Sequence, residues 1–192
     1  VLSRDAALRP LLRRRPGLRL PSGWDGFETA VRAVLGQQVS VAAARTLAGR
    51  LARQHGTPLP PSLAACGLES RFPAPAQLVD ADLSGLGVPE ARARTIRTIA
   101  RALLDGNVDF DASRTLEAFV ERWTALPGIG PWTAYYIAMR ALGHPDAFPA
   151  GDLVLQRQLS GGEDLAASAA ARAAALERRS EAWRPWRAPR VE

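Results

Sequence analysis

The sequence predicts an all-α fold. Apolar residues recur at helical spacing in segment after segment, and a capping residue or a breaker bounds most of these segments. Two of them meet at a tight Gly-Ile-Gly turn. A hydrophobic content of 47% over 192 residues places the chain among globular proteins, with length enough for one domain or two small lobes around a real core. No apolar run approaches the ~20 residues that cross a bilayer, and no signal-peptide pattern opens the chain, so no membrane partner is expected.

In chain order, Arg9-Pro-Leu-Leu-Arg-Arg-Arg15 reads as a short helix closed by Pro16-Gly17, its arginines on a solvated face. Trp24 to Gly36 is the first strong helix. Phe27, Val31, Val34 and Leu35 form its apolar face, Asp25 stands where an N-cap belongs, and Glu28 follows three residues on. Gly36-Gln37-Gln38-Val39-Ser40 breaks the pattern before an alanine-rich helix from Val41 to His55. Gly56 to Pro75, rich in proline, glycine and small residues, is a connector. Ala76 to Asp82 predicts a short helix and Leu83-Ser-Gly-Leu-Gly-Val-Pro89 a turn. Glu90 to Asp105 is a basic amphipathic helix carrying Arg92, Arg94, Arg97 and Arg101, and it stops at Gly106.

Asn107 to Ser113 is a loop. Arg114 to Thr124, with Leu116, Phe119, Val120 and Trp123 at helical spacing, leads into the Gly-Ile-Gly turn, and Ala134 to Leu142 continues as a helix beyond it. Gly143-His-Pro-Asp146 ends that element. Asp152 opens a helix from Leu153 to Leu159, Gly161-Gly162 breaks the chain, and Ala166 to Trp183 is the last helix.

Composition narrows the chemistry. The single cysteine, Cys66, rules out a disulfide framework and fits a reducing compartment; with no basic or histidine neighbour it reads as an inert thiol. Two histidines, His55 and His144, and one cysteine supply no zinc set, and His144, in a turn before proline, reads as structural or exposed. Every one of the 25 lysine-or-arginine positions is arginine, which leaves a net charge of +6 and a pI near 11. Such an excess favours a polyanionic partner and salt-sensitive binding, but a merely basic soluble protein would show the same balance.

The most specific stretch is Leu126-Pro-Gly-Ile-Gly-Pro-Trp-Thr-Ala-Tyr-Tyr136. Gly128 and Gly130 can adopt positive φ and admit a second backbone, and Pro131 suits the first position of the following helix. Bare amides at a helix start beside a loop without Cβ atoms make a natural phosphate seat. Trp132 and Tyr136, four apart, share one helical face, while Tyr135 points about 100° away. Downstream lies Asp152.

Three further blocks are Asp25-Gly-Phe-Glu-Thr-Ala-Val-Arg-Ala-Val-Leu-Gly-Gln-Gln-Val-Ser40, Gly85-Leu-Gly-Val-Pro-Glu-Ala-Arg-Ala-Arg94 and Phe148-Pro-Ala-Gly-Asp-Leu153. With the hairpin they resemble the helix-hairpin-helix (HhH-GPD) DNA glycosylases, in particular the 3-methyladenine DNA glycosylase II branch, which excises alkylated bases. The resemblance covers nearly the whole chain. It implies a two-lobed helical fold with the active-site cleft between the lobes. It also implies a cytoplasmic, nucleoid-associated monomer acting on double-stranded DNA that contains alkylated bases.

The resemblance also assigns roles. Asp152 becomes the catalytic carboxylate that stabilises an oxocarbenium-like sugar and orients water. Trp132 and Tyr136 line the base pocket, where an electron-poor or cationic purine stacks. Leu126, Pro127, Gly128, Ile129, Gly130 and Thr133 form the DNA-binding hairpin. Gln37 and Gln38 lie at the minor-groove wedge, Gln38 filling the gap left by the everted base. Relatives that also cleave the strand carry a lysine where this chain has Trp132; an indole cannot form a Schiff base, so a monofunctional enzyme is expected. No organic cofactor is implied, though the hairpin carbonyls are candidates for a structural monovalent or divalent ion.

The alternative is a non-catalytic DNA-damage-binding module of a multidomain alkylation-response regulator. A chain opening on Val1 reads as a piece of a longer protein, with residues 1–192 one glycosylase domain. Ala182-Trp-Arg-Pro-Trp-Arg187 matches the approach to a final helix, but Ala188-Pro-Arg-Val-Glu192 follows in its place.

Overall fold

The computed structural model describes residues 1–159 and 168–188. The helices, in chain order, are α1 (Arg9–Arg14), α2 (Gly26–Leu35), α3 (Val41–His55), α4 (Pro61–Ala64), α5 (Pro75–Leu78), α6 (Glu90–Leu104), α7 (Leu116–Thr124), α8 (Pro131–Ile137), α9 (Leu153–Leu159) and α10 (Ala169–Ser180). The expected connector is more ordered than its composition implies. It holds α4 and a two-residue antiparallel ladder, β1 (Thr57–Pro58) paired with β2 (Ser70–Arg71). The expected Gly161-Gly162 break and the tail from Pro189 to Glu192 lie outside the described residues.

The chain divides into two compact units. One comprises Val1–Ser22, Ala112–Val120 and Gly130–Glu192, the other Gly23–Asp111 and Glu121–Ile129. The second unit is built on α2, which packs against α3 and α6, with α5 also on α6. Its apolar face (Phe27, Ala30, Val31, Val34, Leu35) is buried, as are Leu47 and Leu51 of α3 and Ile96 and Ile99 of α6. Caps fix where these helices start. The Asp25 carboxylate accepts the Glu28 N–H at 2.7 Å, and the Ser40 hydroxyl accepts that of Ala43 at 3.2 Å. The Glu28 side chain bonds to Arg32 one turn on. Trp24 stays outside the helix and is fully exposed.

Helix α6 differs in one respect from a uniformly solvated basic face. Arg92 donates to the Gln37 carbonyl at 2.7 Å, Arg97 to Glu90 and the Ala81 carbonyl, and Arg101 to Asp80 at 2.8 Å. Three of its four arginines are therefore struts within the unit, and Arg94 alone of the four is uncommitted among the described residues. Trp123, fully buried, donates its indole N–H to the Asp109 carbonyl and packs on Phe110, whose ring in turn occupies the space a side chain at Gly26 would need.

In the first unit, α8 passes directly into a wider π-type helical segment, Ala138–Leu142, which ends at Gly143 with φ +61°. Residues Asp146 to Asp152 then form a strap leading to α9. Burial lowers the His144 pKa, and its Nδ1 accepts the Asp146 N–H at 3.2 Å, so this histidine is structural. The strap is clasped from the C-terminal side. Arg187, with its side chain only 1% exposed, places two guanidinium nitrogens on the Asp146 carboxylate at 2.8 and 3.0 Å. It also donates to Glu177 and Ser180 of α10 and lies over the Phe148 ring. Arg184 adds a further bond to Asp146. Phe148 meets Trp183 edge-on, and the Trp183 indole reaches Asp5 at 3.0 Å, joining the chain's start to its end.

A buried ion pair of this kind contributes little beyond its desolvation cost while intact, but half of it is costly. Asp146→Ala should lower unfolding stability by about 3–5 kcal/mol in denaturant titration. Asp146→Leu combined with Arg187→Met should recover most of that loss. Equal losses for the single and double variants would show that the pair itself is stabilising.

Candidate active site

In the second unit, the loop after α7 runs through Leu126, Pro127, Gly128 and Ile129. Gly128 has φ +88°, and a Cβ there would meet Thr95 Oγ1 of α6 at 1.9 Å. The residue must therefore be glycine both for its backbone conformation and for the close approach. Gly130 departs from expectation. Its φ of −88° is open to any residue, and it serves as the N-cap position of α8, with Pro131 first in the helix as anticipated. The side chains of Ile129 and Thr133 are buried, so the hairpin offers its outer surface through Pro127, Gly128, Gly130 and backbone groups. Carbonyl oxygens suit hard cations. Here Leu126 O already accepts the Ile129 N–H at 3.1 Å and Gly128 O the Gln37 amide at 3.3 Å.

The two glutamines separate. The Gln37 side chain is tied to Gly128 O, and its own carbonyl is held by Arg92. Gln38 is exposed and sits at φ +54°, the only non-glycine residue with positive φ among those described. A glutamine held in that conformation is strained, and such strain concentrates at functional sites.

In the first unit, Asp152 caps α9. Its Oδ1 accepts the N–H groups of Val154 at 2.9 Å and Leu155 at 3.0 Å, while Oδ2 accepts the Trp132 indole N–H at 3.1 Å. The donors are all neutral; none of the carboxylate's hydrogen-bond partners among the described residues is an arginine. The carboxylate is half-buried, and Leu153 and Val154 beside it are exposed. The helix amides on one oxygen and the indole on the other fix the carboxyl plane.

Trp132 and Tyr136 lie on one face of α8, as their spacing requires, and stack at 5.2 Å between centroids with 25° between planes. At that separation no third ring enters between them; the pair presents a single composite surface. Arg140, one turn further, lies over Tyr136 at 5.7 Å and is anchored to the Pro21 carbonyl at 2.6 Å. Tyr135 points elsewhere, and burial raises its pKa. Sequence reasoning missed the Trp132–Asp152 hydrogen bond and the Arg140 contact. The four-residue spacing from Tyr136 to Arg140 was a legible signal for the second; nothing local signals the first.

The fold is that of solved helical DNA glycosylases. The structure of a 3-methyladenine DNA-glycosylase from Archaeoglobus fulgidus superposes with a TM-score of 0.75 at 26% identity, covering 97% of this chain and 63% of that one. The Schizosaccharomyces pombe 3-methyladenine DNA glycosylase Mag1, solved with abasic DNA, gives 0.75 at 23% identity over 95% of this chain and 86% of that one. Residues 31–185 match the family described as "HhH-GPD superfamily base excision DNA repair protein", and the chain belongs to that superfamily. Among curated relatives, the Mycobacterium tuberculosis "Probable bifunctional transcriptional activator/DNA repair enzyme AlkA" is 44% identical over 97% of this chain. Escherichia coli "DNA-3-methyladenine glycosylase 2" is 36% identical over 95% of it. The chain spans 36% and 61% of the length of these two relatives.

Gly128→Ala should destabilise the protein by about 1–3 kcal/mol through backbone strain, with the Thr95 clash added. Thr95→Ala in the same chain should return the clash component and leave the strain, a non-additivity that a double-mutant cycle in thermal unfolding reads directly.

Proposed function

We propose that this domain hydrolyses the N-glycosidic bond of alkylated bases such as 3-methyladenine in duplex DNA, by base flipping, and leaves an abasic site. The observation that carries the proposal is the state of Asp152: a half-buried carboxylate held by two helix amides and one indole, with no arginine among its hydrogen-bond partners in the described residues. Breaking the bond gives the sugar oxocarbenium character, and a fixed negative charge near the anomeric carbon stabilises it without reorganising. An alkylated, cationic purine is already a good leaving group, so no separate general acid is needed. The Trp132–Tyr136 surface suits such a base, with stacking contributing about 0.5–2 kcal/mol. Gln38, exposed and at positive φ, would fill the vacated stack, with Gln37 as its anchor to the hairpin.

The reaction needs no organic cofactor; an ion at the hairpin carbonyls would be structural. A DNA-binding module without turnover is less well supported, since among the described residues no arginine pairs with the Asp152 carboxylate.

Asp152→Asn keeps the cap acceptor and removes the charge. It should abolish release of free bases from methylated DNA and leave duplex affinity within about threefold, since binding rests on groups other than this carboxylate. Equal loss of both would make Asp152 a structural cap. Because position 132 is tryptophan and the chain has no lysine, borohydride should trap no covalent protein–DNA adduct during turnover. A trapped adduct would identify an amine nucleophile and end the monofunctional reading.

A further inference from the structure

Within the second unit, a groove of about 680 Å³ is lined by Pro89, Ala91, Arg92, Arg94, Thr95 and Thr98 on one side and by Gln37, Gln38, Pro127 and Gly128 on the other. The positions 91, 94, 95 and 98 share one face of α6, so the helix presents a continuous wall. The opposite wall does not depend on loop stiffness. Arg92 holds the Gln37 carbonyl, and Gln37 holds Gly128 O, so a strut links α6, the glutamine loop and the hairpin. Thr95 closes the floor beneath Gly128.

Among the described residues, the lining contains two arginines and no carboxylate. Glu90, the acid nearest on the same helix, is turned to Arg97. Arg94 is exposed and meets no partner among the described residues, while Arg92 spends one nitrogen on Gln37. The remaining lining groups are neutral hydrogen-bonding side chains, small apolar ones and backbone. Two guanidiniums exclude a cation as ligand, and the absence of aromatic or large aliphatic lining excludes an apolar small molecule. An open channel with a free planar cation over neutral donors suits an oxyanion on an extended chain.

We propose that this groove seats a backbone phosphodiester of duplex DNA, with Arg94 as the phosphate ligand and Arg92 as the strut that keeps the groove open. The assignment rests on the reading of the domain as a DNA-acting one, yet it concerns affinity and not base release. It gives Gln38 a neighbour: the strained side chain at the groove rim would be registered against the strand by a phosphate contact beside it.

Affinity for an undamaged duplex, measured across a salt series by fluorescence anisotropy, tests it. One lost phosphate contact lowers the slope of log K against log[salt] by about 0.9. Arg94→Gln should show that drop and weaken damaged and undamaged duplexes by the same factor. Arg101→Gln, on the same helix but paired with Asp80 and outside the groove, removes the same net charge and should leave the slope unchanged. Equal slopes for the two variants would overturn the proposal, because Arg94 would then act only through bulk charge. Calorimetric titration of the DNA-free protein with inorganic phosphate separates a backbone ligand from a free anion. No saturable binding is expected, and saturable binding that Arg94→Gln abolishes would identify a free-phosphate site and overturn the assignment. Base release is assayed separately, so a protein that binds with the expected slopes but releases nothing would refute the glycosylase reading and leave this one standing.

Discussion

The site depends on how one carboxylate is divided. Asp152 gives one oxygen to the first turn of α9 and the other to the indole of Trp132. The first bond set fixes the carboxyl group against the helix start; the second fixes its rotation and ties it to the aromatic surface of α8. For the transition-state role proposed for it, the carboxylate needs both restraints, because a freely rotating charge would have to reorganise as a sugar ionises. An arginine partner would also have restrained it, but at the expense of the negative charge it offers. Neutral donors orient the group and leave that charge available.

The restraints reach back through the strap. Phe148 is set between Trp183 and Arg187, and Gln156 of α9 donates to the Ala150 carbonyl at 3.0 Å, so the approach to Asp152 is held at both ends. Arg187 is suited to this because its planar fork satisfies Asp146 bidentately and still reaches Glu177 and Ser180. The Asp5 side chain belongs to the same assembly. Burial alone would raise its pKa, but the amides of Leu8 and Ala7, the Trp183 indole and the charge of Arg179 together bring it below the ordinary 3.8. Its contribution to stability is present above that value and fades as pH falls through the lower, folded one.

Much of this was legible in the sequence where the cause is local. Asp25 and Asp152 each stand at a helix start that a short side chain can cap, and each does so. Gly128 announced a turn, and Trp132 and Tyr136 announced a shared face. What the sequence hid was non-local. A run of Arg92, Arg94, Arg97 and Arg101 looks the same whether it faces solvent or braces neighbouring loops, and only the partners Gln37 O, Ala81 O, Glu90 and Asp80 decide. Gln37 and Gln38 are indistinguishable as letters, but one is bonded across 91 positions to Gly128 and the other projects at positive φ. Gly130 looked as if it needed glycine's backbone freedom, and it does not.

That distinction changes how the chain's charge should be read. A net charge of +6 with a pI near 11 invites the picture of a broadly basic surface that gathers DNA by bulk attraction. Many of the arginines are spent inside the fold. Arg92 and Arg140 hold backbone carbonyls, Arg122 bonds to the Asn107 carbonyl and Asp109, and Arg187 is nearly inaccessible. Guanidinium is the side chain that can do this, since its several fixed donors grip carbonyl and carboxylate oxygens at once, and an ammonium could not substitute at most of these places. On the proposed reading, DNA would be met by cations in defined positions, such as Arg94, with the hairpin surface and the exposed Gln38 beside them. Part of the basic composition is therefore architectural, while Arg13, Arg14, Arg45 and Arg53 stay on the exposed surface.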